Sequence, residues 1–77
     1  MIATTTALRE GRTLTRAGRG LYRILDDRNR IAGHVQVVRH ELGVRYRAKR
    51  YSPRRAGFIE LGEFWSLDDA ITCALSR

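Results

Sequence analysis

The chain has 77 residues, enough for one domain and too few for two. Its single cysteine, Cys73, excludes an internal disulfide, and no Cys/His cluster stands at metal-ligand spacing, so a core this thin is left to lean on a homodimer contact or another partner. Fifteen basic residues against eight acidic ones give a net charge of +7, a balance that points to a polyanionic partner.

Residues 1 to about 20 carry three glycines (Gly11, Gly18, Gly20) and few large apolar groups, and Arg9, Arg12, Arg16 and Arg19 are offset only by Glu10. The segment reads as a flexible basic arm. Together with Arg23, these arginines are spaced 3, 4, 3 and 4, which on a helix would make one basic stripe. The glycines and the β-branched threonines disfavour a free helix there, so the stripe would form only on a partner. The opening Met-Ile-Ala-Thr-Thr-Thr has no charged region followed by an apolar stretch and does not read as a secretory signal. No apolar run approaches the roughly 20 residues of a membrane span. With a lone thiol, the expected location is cytoplasmic and no membrane partner is expected.

From Leu21 the pattern is strand, turn, strand. Leu21 to Leu25 is a short apolar run, and Asp26-Asp27-Arg28-Asn29-Arg30 is a polar turn. Ile31 to Arg39 alternates around Val35 and Val37, Glu41-Leu42-Gly43 turns, and Val44 to Tyr51 alternates again. Ser52 to Gly57 is a loop built on Pro53 and Gly57, and Phe58 to Phe64 is the last strand. Closely spaced strands with short turns predict an antiparallel meander. The period then changes: Ser66 is a good N-cap, Asp68 and Asp69 suit the first turn, and Ala70, Ile71, Ala74 and Leu75 share one helical face over about Leu67 to Ser76. The predicted fold is α+β, a three- or four-stranded antiparallel sheet (residues 21–77) with one C-terminal helix on one face.

The uncovered face is then informative. If Val44, Tyr46 and Ala48 meet the helix, Arg45, Arg47 and Lys49 project together from the other side, about 7 Å apart, near the spacing of phosphates on one DNA strand. His34 and Gln36 fall on the same side if Val35 and Val37 point inward. Arg39, Arg54 and Arg55 extend the densest basic stretch, and Arg16 and Arg19 supply the arm. A solvated face would use such residues for solubility and edge protection. Their clustering and the overall charge favour nucleic acid. Glu60, alternating with Ile59 and Leu61, belongs among these cations, where it can pair with one of them or accept from a cytosine amine. Fourteen of the fifteen basic residues are Arg, which suits bidentate contacts to phosphate and guanine, though a GC-rich genome would give the same preference. Phe64 is expected in the core, and Trp65 suits the core and base stacking equally.

Residues 43–75 show a longer pattern: Gly43-Val44-Arg45-Tyr46-Arg47-Ala48-Lys49-Arg50, the Pro53–Gly57 loop, Phe58-Ile59-Glu60-Leu61-Gly62-Glu63-Phe64, then Ser66-Leu67-Asp68-Asp69-Ala70. It resembles the apetala-type (ethylene-response-factor) DNA-binding domain and the arm-type domain at the N-terminus of phage tyrosine integrases. The resemblance implies three antiparallel strands on one helix, with the exposed sheet face in the DNA major groove and Arg45, Arg47 and Lys49 facing DNA. Glu60 and Arg50 depart from the pattern, Glu60 where those families often carry an aromatic or basic contact, Arg50 where they carry an apolar residue. HicB-type antitoxins, whose partner is a protein, share part of the order but are a weaker match.

Catalysis is not indicated. Cys73 has no His or Asp at a telling spacing, His34 and His40 lack a carboxylate pair, and Gly18-Arg19-Gly20 follows no predicted strand, so no enzyme, cofactor or metal role is expected. The expectation is a double-stranded DNA binder, of the kind that serves a phage or other mobile element as a regulatory or recombination accessory factor. The alternative is an antitoxin- or inhibitor-like protein-interaction module. RNA ranks third, because exposed aromatics are few: Tyr51, Trp65 and Tyr22.

Overall fold

The structure, a computed structural model, describes residues 5–75. One antiparallel sheet runs in chain order: β1 (Thr5–Ala7), β2 (Thr13–Gly18), β3 (Leu21–Leu25), β4 (Ile31–His40), β5 (Gly43–Ser52) and β6 (Gly57–Phe64). The helix α1 (Leu67–Leu75) packs on β4, β5 and β6. The predicted meander and C-terminal helix are present, with boundaries within one or two residues of those expected.

The strand count differs. Six strands replace three or four, because the stretch read as a basic arm contributes β1 and β2. Thr13-Leu14-Thr15 alternates as a strand does, and Leu14 pairs with Ile24 and enters the core. The arginine spacing of 3 and 4 therefore has no helical meaning. Only residues 1–4 of the expected arm lie outside the described residues.

Local chemistry sets the turns. Asp26 Oδ1 accepts from the backbone N–H of Arg28 (2.8 Å) and Arg30 (2.9 Å), and Asn29 takes the left-handed conformation at φ 62° that closes β3 into β4. These hydrogen bonds, that from Arg30 foremost, hold Asp26 below its ordinary pKa. Ser66 caps α1 as predicted, its Oγ accepting from the Asp69 N–H at 3.3 Å.

The core lies between α1 and the inner face of the sheet: Leu14, Ile24, Val35 and Ala48 meet Ala70, Ile71 and Ala74. Phe64 packs against this cluster, as expected, and so does Cys73. Gly33 sets the approach of the layers. A Cβ there would lie 2.5 Å from the Lys49 carbonyl oxygen and 3.6 Å from Ala74 Cβ. The molecule is 20 Å across its thinnest dimension, the depth of one sheet and one helix, and among the described residues no third layer covers the outer face.

Candidate nucleic-acid interface

Directly opposed residues in an antiparallel pair share a face, so the register defines the outer surface. One row runs Arg23, His34, Lys49, Glu60 across β3 to β6. The next runs Leu21, Gln36, Arg47, Glu63, and a third pairs Val38 with Arg45. The five residues His34, Gln36, Arg45, Arg47 and Lys49 thus come together on the face opposite the helix. Arg23, which the sequence places only in the arginine series of the basic arm, joins them through its pairing with His34.

The remaining sequence candidates lie elsewhere. Arg39 opposes Val44, which gives it the parity of the inner face, where it is exposed. Arg16 opposes Tyr22, also on inner parity. Arg19 sits in the β2–β3 turn, and Arg54 and Arg55 in the β5–β6 turn, at opposite ends of the sheet. Basic residues therefore ring the sheet rather than continue the stripe.

A bulge changes the electrostatics. Ala48 pairs with Gly62 and Lys49 with Glu60, so Leu61 is an extra residue in β6. Gly62 accommodates it at φ 139°. Strict alternation from Glu60 would send Glu63 inward; the bulge turns it outward, opposite Arg47. Glu63 Oε2 accepts from Arg47 Nη2 at 2.7 Å and Nε at 3.1 Å, and Glu60 lies 3.6 Å from Arg47 Nε. His40 Nε2 donates to Glu63 Oε1 at 3.1 Å. The hydrogen bond from Arg47, followed by that from His40, holds the Glu63 carboxyl below its ordinary pKa, and the same pairing raises that of Arg47. Arg47 is thereby engaged by two carboxylates. Arg23, Arg45 and Lys49 make no ion pair among the described residues.

Aromatic groups occupy two places on this face. At one end Phe58 stacks on His34, with ring centroids 4.2 Å apart, and Tyr51 meets Phe58 edge-on at 5.3 Å. Burial under these rings, with Arg23 and Lys49 nearby, lowers the His34 pKa and favours the neutral imidazole. At the other end the Arg45 guanidinium lies 4.0 Å from the ring centroid of Trp65. The side-chain Nε atoms of Arg23 and Arg45 and Nε2 of His34 are buried without a hydrogen-bond partner, all three on this one face.

Among the described residues no helix is long and apolar enough to cross a membrane. No protein-family model, no curated protein and no solved structure matches this chain.

Proposed function

We propose that the chain is a small basic DNA-binding protein whose outer sheet face enters the major groove of double-stranded DNA. The observation that carries this reading is the convergence of Arg23, Arg45 and Lys49 on the sheet face opposite the helix, where among the described residues none of them is ion-paired and no other element covers them. The whole sheet is too wide for the groove: six strands at about 4.8 Å spacing span about 24 Å, against a groove about 12 Å wide. Two or three strands enter, and the cations mark β4 and β5 as the centre. Arg23 on β3 and Arg45 on β5 then reach the flanking phosphates, and Gln36 meets base edges. The β4–β5–β6–α1 unit has three antiparallel strands and one helix, as the resemblance to apetala-type and integrase arm-type domains implies, and a role in a phage or mobile element fits that likeness.

The test is binding of the full chain to random-sequence duplex DNA from about 50 to 300 mM salt. Affinity should fall steeply with salt and drop at least tenfold at low salt in an Arg23/Arg45/Lys49→Ala variant. Arg47→Ala should cost much less, because Glu63 and Glu60 already engage that guanidinium. No binding at about 50 mM salt overturns the reading and leaves a protein-interaction module, with Leu42, 83 % exposed in the β4–β5 turn, as its apolar anchor.

A further inference from the structure

Trp65 is the only tryptophan in the chain, and it is 60 % exposed. It follows directly on Phe64, which turns inward and packs on the core. Leaving an indole in water is unfavourable, and here the exposed ring also lies against a cation. The ring is also held. Arg45 covers one side at 4.0 Å from the centroid, and a Cβ built at Gly43 would lie 3.7 Å from Trp65 Cζ3, so the start of β5 lies beside the indole. The guanidinium has no carboxylate partner among the described residues. The other aromatic cluster of the outer face differs, since Phe58 and His34 spend their ring faces on each other.

We infer that Trp65 and Arg45 form a stacking site for one unpaired base of a DNA strand. The base lies on the ring face turned away from Arg45, and the guanidinium reaches the adjoining phosphate. This rests on the nucleic-acid reading above and adds to it a preference for DNA with an unpaired segment beside the duplex. Charge complementarity selects the occupant: a base brings a phosphate to an unpaired cation on a face that also carries Arg23 and Lys49, whereas an apolar protein segment would leave Arg45 without an acceptor. Stacking on a fixed aromatic is sequence-tolerant and strong enough to change affinity by about tenfold.

The experiment follows Trp65 fluorescence while the full chain is titrated with a blunt duplex, the same duplex carrying a short single-stranded overhang, and the single strand alone. The overhang duplex is expected to bind about tenfold tighter than the blunt one and to quench the tryptophan. Trp65→Ala should abolish the tenfold difference, and Trp65→Phe should retain part of it, with circular dichroism confirming that both variants fold. Equal affinities and no quenching, with salt-dependent binding to the blunt duplex intact, overturn the stacking site and leave the duplex reading standing. Quenching by the single strand without any duplex binding supports the stacking site and overturns the duplex reading. Absence of binding to all three overturns both.

Discussion

The inner face of the sheet meets its helix through some of the smallest side chains in the chain, whereas the outer face carries some of the longest. Gly33, Val35 and Ala48 lie against Ala70 and Ala74 on one side, while Arg23, Arg45, Arg47 and Lys49 project from the other. Small groups let a single nine-residue helix approach closely enough to exclude water from a core of only a few residues. Long cationic groups keep the opposite face wet, and they are held apart by cross-strand neighbours instead of by a covering layer. The same two-residue alternation writes both faces, so a change on one side should act on stability and a change on the other on binding.

The sharpest way to break that division is Gly33→Ala. The new Cβ would meet the Lys49 carbonyl oxygen at 2.5 Å, and backbone in mid-strand cannot yield as a side-chain tip can. A loss of about 3 kcal/mol is expected, at the upper end of overpacking costs, measured as a drop in the urea midpoint. Lys49 sits on the strand that would have to move, so some loss of DNA affinity should accompany it. An unchanged midpoint would mean that β4 and β5 are not in close contact at this point.

Leu14→Ala comes next and tests how far the inner face extends. Leu14 is buried beside Ile24 on β2, outside the three strands on which α1 mainly packs. Its truncation should cost about 2 kcal/mol, the lower end for a buried leucine, because the sheet edge can partly collapse around the gap. A basic arm would tolerate the change with no shift in thermal midpoint, so the measurement separates β2 as a structural strand from β2 as a tail.

Much of this division was legible in the residues. Val44, Tyr46 and Ala48 against Arg45, Arg47 and Lys49 is a plain period of two, and the change of period at Ser66 announced the helix. What escaped had physical causes. Gly18, Gly20 and the scarcity of large apolar groups made β2 look unstructured, although Thr13-Leu14-Thr15 has the strand pattern; a single buried leucine is a small signal. Glu63 escaped because the bulge at Leu61 inverts the alternation, and a bulge depends on register between strands, which one strand's sequence does not encode. Phe58 was counted only as the start of a strand; its ring lies over the outer face because His34 stands there, a contact between residues 24 positions apart.

The smallest expected effect on stability falls on the outer face, where Glu63→Gln sharpens the comparison most. Glu63 accepts from Arg47 and His40 at a partly exposed site screened by solvent, so its pairing contributes little to stability. Its carboxyl is held below its ordinary pKa, so this contribution is present at neutral pH and is lost as the pH falls through the lowered value; the variant should differ from the parent near neutrality and converge with it in acid. Binding should move the other way. The substitution removes one negative charge from the face and leaves Arg47 with only the more distant Glu60 as an ionic partner, so duplex affinity should rise. The slope of log affinity against log salt should steepen by about 0.9, the release of one further counterion. A steeper slope together with a nearly unchanged melting point would show that the bulge at Leu61 tunes how much charge the outer face offers to DNA. An unchanged slope would mean that Arg47, with Glu60 still beside it, does not engage the backbone, and that the face binds through Arg23, Arg45 and Lys49 alone.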